Sequence, residues 1–220
     1  MNTKQISVYA PNLSERKDRL KSIQRQFSGK PEFDFAVVPA IRHETGAFGQ
    51  WQTFVKLVKQ ELKKNSEFFI FCEDDHVFTK DYRFEYLLEC IRQADCFGAD
   101  ILCGGIAYVI DAIRCTDHLF WMKTFNGMQF TVIFNRFYEK IIQSDTEEGF
   151  ISDYYLSEIS DHKFVMHPFI SIQKEFGYSD ITAQNNQKGY VRRCFKTIDE
   201  KLHLLKKVEQ FYKKATYEIR

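Results

Sequence analysis

Residues 73–75, Glu-Asp-Asp, end an uncharged apolar run, "FFIFC". Three adjacent carboxylates repel one another, and a position at the mouth of a core sharpens that repulsion. The arrangement is tolerable where positive charge joins it. Oxygen-only ligands suit Mg2+ or Mn2+, ions that take one or two carboxylates and complete their shell with water and phosphate oxygens. The triplet therefore points to a metal-assisted site for a phosphorylated ligand. Alternate residues of an extended backbone point the same way, so Glu73 and Asp75 are the expected metal ligands. Asp74 then faces away, toward sugar or backbone, and Glu73 is also placed to meet a ribose. The same three acids equally suit a solvated turn that caps the following helix.

Gly104 and Gly105 close a second apolar run, "ADILC". Two glycines at a strand end let a ligand approach the backbone closely, or they simply make a turn.

The elements that must position these residues are legible from periodicity. "QISVYA" reads as a strand closed by Pro11, and "FDFAVV" as a second ending at Pro39. Between them Leu20, Ile23 and Phe27 repeat at helical spacing, with Ser14 as the expected cap and Leu13 as a staple. "AFGQWQTFVKLVKQEL" carries a helical stripe that includes Trp51, which places that ring in the core. "EFFIFC" and "ADILCGG" are short, continuous apolar strands of the fully buried kind, with a helix over residues 82–94 between them. The alternation of strand and helix predicts an α/β, Rossmann-like domain with a mostly parallel sheet. Ligands of such sheets lie outside the carboxyl ends of the strands, where Glu73–Asp75 fall. After Gly105 the texture changes. "LFWMKTF" and "MQFTVIF" flank Asn126-Gly127, which predicts a hairpin, and places Trp121 where it could stack on a sugar. Helices over 136–143 and 152–160 and short strands in "KFVMHPFISIQ" complete a mixed second half.

Net charge is +1 over 220 residues, but from Lys188 to Arg220 ten basic residues face four acidic ones. The reading is a single catalytic domain over 1–187 and a basic tail over 188–220. The tail's helix has a stripe of Leu202, Leu205, Val208 and Tyr212 ringed by lysines, a design that suits an anionic membrane surface or simple packing on the body. Basic residues interleaved with exposed aromatics in a recognisable module are missing, so nucleic acid is not an expected partner. Six cysteines without a CxxC pair, no opening apolar stretch and no window of the ~20 apolar residues a membrane span needs lead to a cytoplasmic expectation, at the inner face of the membrane if the tail docks there.

Four stretches in order resemble the family 25 glycosyltransferases, which include bacterial lipopolysaccharide galactosyltransferases. They are "NLSERKDRLKSIQRQF" from Asn12, "GAFGQWQTFVKL" from Gly46, "FIFCEDDHVF", and "SDYYLSEI" followed by "FVMHPFISIQKEFGYSDI". The likeness runs from Ile6 to Ile181. It departs at Gln50-Trp51, where the family has Ser-His. The resemblance implies a GT-A fold and inverting transfer of a sugar, commonly galactose from UDP-galactose, to a saccharide acceptor such as a lipid-linked glycan. It makes the acidic motif the counterpart of a metal-binding DxD. It implies that Asn12 and Leu13 meet the uridine and that Arg16 and Arg19 reach phosphate, with Asp74, Gly104 and Gly105 completing the donor site. Asp153 is the implied general base, with Asp180 as its competitor, and His167 is implied as a late metal ligand. Two rivals remain: a metal-dependent phosphohydrolase or nucleotidyltransferase using the same acids, and a binding protein that keeps the fold without turnover.

Overall fold

The computed structural model describes residues 5–144, 152–178 and 183–218. In chain order the elements are β1 (Ile6–Asn12), α1 (Lys17–Phe27), β2 (Phe33–Pro39), α2 (Gly46–Lys63), β3 (Phe68–Cys72), β4 (His76–Phe78), α3 (Phe84–Cys96) and β5 (Ile101–Cys103). They continue with β6 (Tyr108–Val109), β7 (Ala112–Arg114), β8 (Leu119–Met122), β9 (Phe125–Asn126), β10 (Phe130–Phe134) and a 3-10 turn (Asn135–Phe137) that runs into α4 (Tyr138–Gln143). Then follow α5 (Ser152–Ile159), β11 (Lys163–Met166), β12 (Ser171–Gln173), a second 3-10 turn (Ala183–Asn186) and α6 (Tyr190–Glu218).

Eight strands form one sheet in the order β2-β1-β3-β10-β5-β11-β8-β7. β1 runs parallel to β2 and β3, and β5 parallel to β11. The class expected from sequence, an α/β Rossmann-like sheet, is the one observed, but the sheet is mixed rather than mostly parallel. β10, late in the chain, enters antiparallel between β3 and β5, and β8 runs antiparallel to both β11 and β7. All five residues of β10 are buried. Each large apolar side chain removed from water contributes about 1.5–3 kcal/mol, which outweighs a local two-stranded ribbon. This is why the hairpin expected at Asn126-Gly127 does not form. β8 pairs instead with β7 and β11, and β9 pairs with β6.

The period of two sorts the side chains into two layers. Val8, Ala10, Ile70, Cys72 and Val132 meet Ile23 and Phe27 of α1 and Leu87, Cys90 and Ala94 of α3. Tyr9, Phe69, Phe71 and Ile133 meet Trp51, Phe54 and Val58 of α2, Tyr138 of α4, Leu156 of α5 and Val191, Phe195, Ile198 and Leu202 of α6. Trp51 is core, as its stripe requires. The first half of α6 belongs to this same apolar cluster, so no break in the core coincides with the boundary drawn at 187/188. Its later residues Val208, Phe211 and Tyr212 are exposed. No helix among the described residues is long and apolar enough to cross a membrane.

α1 starts later than expected. Ser14 does not cap it; its hydroxyl faces the Glu15 carboxylate, and the position before the helix is Arg16, without a side-chain cap. The segment from Leu13 to Arg16 is thereby left as a turn above β1, on the rim of the site.

Candidate functional site

A cavity of about 770 Å³ opens at the carboxyl ends of β1, β2 and β3, where an open α/β sheet presents its loops. Pro11 and Leu13 line it after β1, Ala40 to Glu44 after β2, and Glu73 to Asp75 after β3. The first turns of α2 and α5 add Gly46, Ala47, Gln50, Ser152 and Asp153, and Gln173 to Phe176 with Tyr178 border it as well.

The acidic triplet divides. Asp74 is buried, accepts from Asn12 Nδ2 at 2.9 Å and pairs with Arg19 Nη1 at 2.8 Å. Arg16 stands 3.7 Å from its other oxygen. Asp75 shares the same Arg19 nitrogen at 3.1 Å, while its Oδ1 is buried with no hydrogen-bond partner. Asp74 thus joins Asp75 on the Arg19 side rather than facing away from it. Glu73 is held by two neutral amides: Gln50 Nε2 and Gln173 Nε2 each donate at 2.7 Å, one to each carboxylate oxygen. The positive charge that the sequence demanded is supplied in part by Arg19, whose guanidinium is held even more firmly protonated by Asp75 and Asp74 despite its burial. It is also enclosed, with ring centroids of Tyr178 and Phe176 4.9 and 5.1 Å away, and Nη2 donates to the Tyr178 carbonyl at 2.9 Å.

That charge does not suffice. Desolvation, with the Asp75 and Asp153 charges added, pushes the Glu73 carboxyl up to about 8. Desolvation likewise raises Asp75 to about 7, against the pull of Arg19. Carboxyls so displaced keep their protons unless a positive charge joins them. Among the described residues no group of three or more His, Cys, Asp or Glu gathers to hold a metal ion. A Mg2+ or Mn2+ that relies on one or two carboxylates and on its ligand's phosphates needs no such group. The partnerless Oδ1 of Asp75 on the cavity wall fits it.

Asp153 lies in the first turn of α5, buried, and accepts the Gly127 N–H at 2.6 Å. The glycine holds φ +125°, a backbone conformation open to it alone, so the Asn126-Gly127 pair serves this contact in place of the hairpin. Desolvation raises Asp153 to about 6. The neighbouring Ser152 hydroxyl is buried without a partner.

The structure therefore brings Leu13, Arg16, Arg19, Glu73, Asp74, Asp75 and Asp153 to one cavity, with Asn12 bracing Asp74 from beneath. It leaves four residues elsewhere. Gly104 and Gly105 lie under β12: a Cβ on Gly105 would stand 2.1 Å from the Ser171 carbonyl oxygen, and one on Gly104 2.9 Å from Phe130. They are small because protein, not ligand, crowds them. His167 sits against α6, with Nε2 3.3 Å from Asp199 and its ring near Phe120, away from the acidic triplet's wall. Trp121 donates to the Asp161 carbonyl and does not line the cavity. Asp180 lies outside the described residues. Gln173 and Tyr178 lie within the closing stretch that carries the resemblance, but sequence reasoning assigned neither a role. It met Gln50 only as a departure from Ser-His, and that departure was the available signal.

No protein-family model matches the chain, and no curated protein matches it. Solved structures do resemble its fold. A197 from STIV superposes with a TM-score of 0.51 at 14% identity, over 80% of this chain and 87% of that one. Apo UDP-glucose pyrophosphorylase gives 0.44 at 9% identity over 90% and 82%. A glycosyltransferase involved in glycosylation of the major capsid of PBCV-1 gives 0.41 at 7% over 75% and 94%. The first shows a shared fold; the other two are too distant to add to it.

Proposed function

We propose that this chain is an inverting glycosyltransferase that moves a hexose from a nucleoside diphosphate, with UDP-galactose as the expected donor, to a saccharide acceptor. The observation that carries the reading is one cavity that joins Arg16, Arg19 and a cation-poor acidic triplet to a buried carboxylate, Asp153, from another layer of the fold. Leu13 and Pro11 offer the base an apolar edge. Arg16 and Arg19 face the diphosphate, whose charge grows as the anomeric bond breaks. Asp75 would hold a divalent ion, which would supply further stabilisation of the leaving charge; Glu73, expected as a second ligand, has both oxygens taken by Gln50 and Gln173 and adds only its nearby charge. The acceptor hydroxyl attacks the anomeric carbon from the face opposite the diphosphate. The C–O bond electrons leave with the diphosphate, and Asp153 takes the hydroxyl proton. A group raised to about 6 is ionised at neutral pH and remains basic enough for that task. The resemblance to family 25 points the same way, toward cell-surface glycan or lipopolysaccharide synthesis. The exposed aromatic and lysine residues at the end of α6 suit an anionic membrane beside a lipid-linked acceptor.

The test is thermal shift with UDP, with and without Mn2+, followed by release of UDP from a panel of UDP-sugars with saccharide acceptors. Stabilisation by UDP that needs Mn2+, together with acceptor-dependent release, is expected. Acceptor-independent cleavage of the phosphates would establish the phosphohydrolase instead, and binding without turnover the glycan- or nucleotide-binding protein.

A further inference from the structure

We propose that Gln50, Glu73 and Gln173 form the subsite that reads the hydroxyls of the donor hexose. The inference rests on the glycosyl-transfer reading and adds to it the group that recognises the sugar. Its basis is position. Glu73 is two residues from Asp75, at the diphosphate end of the cavity. Its Gln50 partner stands on the first turns of α2, the same turns that carry α5: the rings of Trp51 and Tyr155 meet edge to face at 5.4 Å. α5 bears Asp153. The three side chains therefore bridge the wall between the diphosphate groups and the base, and all three line the cavity. In glycosyl transfer the hexose must lie between its diphosphate and the base, so this wall faces it.

The chemistry of the trio suits a polyol. A hydroxyl both donates and accepts. Each glutamine spends one N–H on Glu73, at 2.7 Å, and has by its nature a second N–H and a carbonyl oxygen to offer. The carboxylate, fixed from two sides by different elements, cannot swing to meet an ill-matched partner. A site built to bond a hydroxyl rejects a ligand that lacks it, because the site's own polar groups are then left unpaired. A bare cation site would gain nothing from two flanking amide donors competing for the same oxygens.

The experiment is calorimetric titration in Mn2+ with UDP, UDP-galactose and UDP-glucose, on the unaltered chain and on Gln50→Leu and Gln173→Leu. Both variants should keep the affinity for UDP within about twofold and lose about tenfold for the UDP-hexose that the unaltered chain prefers. In the unaltered chain, donor analogues missing one ring hydroxyl should show a comparable loss, and the variants should no longer feel that deletion. The second arm needs no mutation, so it stands even where a variant folds poorly. Equal weakening of UDP and UDP-hexose would assign the trio to the diphosphate and its ion and overturn the proposal, as would variants that bind every ligand like the unaltered chain. If UDP itself does not bind the unaltered chain, the glycosyl-transfer reading fails first and takes this inference with it.

Discussion

At Arg19 a single guanidinium meets two carboxylates, a backbone carbonyl and two aromatic rings. Removing one partner from such a buried group strands the others, at a cost of about 3–5 kcal/mol. Arg19→Ala is therefore expected to lose about 3 kcal/mol in denaturant unfolding, and Arg19→Lys, which keeps charge but not the fork, to fall between. Asp153 obeys the opposite logic. Its carboxyl is raised, so the folded chain gains from its burial only while it is protonated, below the ordinary carboxylate range, and loses that gain as pH rises through about 6. Asp153→Asn keeps an oxygen for the Gly127 N–H. It should melt higher than the unaltered chain at pH 8 and no higher at pH 4. It should also lose about 10²–10⁴-fold in transfer with UDP affinity unchanged, and the unaltered chain's kcat/KM should climb through about pH 6. The sequence located Glu73, Asp74 and Asp75 because charge beside an apolar strand is rare without a purpose, whereas Arg19 and Asp153 entered only through the family resemblance. It erred at Gly104 and Gly105 because glycine looks the same whether a ligand or a carbonyl of β12 presses on the backbone. It erred at His167 because only the third dimension shows that the side chain faces α6.

Among the elements, α1, α2 and α3 were readable from helical period, and β1, β2, β3 and β5 from short β-rich or continuous apolar runs that end in proline, charge or glycine. What escaped was pairing. Asn126-Gly127 is a strong local turn signal, but the gap between β3 and β5 takes β10 and buries it entirely, a long-range gain that no local window contains. α6 shows the same limit. Its stripe was legible, yet sequence could not tell which turns touch the body. The structure divides it: Leu202 is fully buried and Phe211 is 66% exposed. Leu202→Ala is accordingly expected to cost about 2–5 kcal/mol, and Phe211→Ala to stay within about 0.5 kcal/mol, both read from the denaturant midpoint. A similar loss from both would mean that the outer turns are covered in the native protein.

For the whole molecule, the cavity sets the dependence of stability on pH. Glu73 and Asp75 are raised to about 8 and about 7, so the folded chain holds protons there that the unfolded chain has released. Stability therefore falls from the ordinary carboxylate range upward and levels off once pH has passed those values. Toward acid the sign reverses. His76, stacked near Phe130 and bonded to Ser171, is depressed to about 3 by burial, and His167 is depressed as well; their neutral forms are favoured by folding, and that stability is lost as pH falls below the ordinary histidine range. Below the ordinary histidine range the two trends oppose each other, and above it only the carboxyl penalty remains. A melting series should show that remaining fall between pH 6.5 and pH 8.5, of at least about 1 kcal/mol, or about 2–4 °C. Glu73→Gln should flatten this alkaline limb. Mn2+ with UDP should flatten it too, because a cation beside the triplet favours the ionised carboxylates that burial alone resists. An alkaline limb unchanged by both would show that these carboxyls are not the source of the fall, and that the cleft carries no deficit of positive charge for a ligand to relieve.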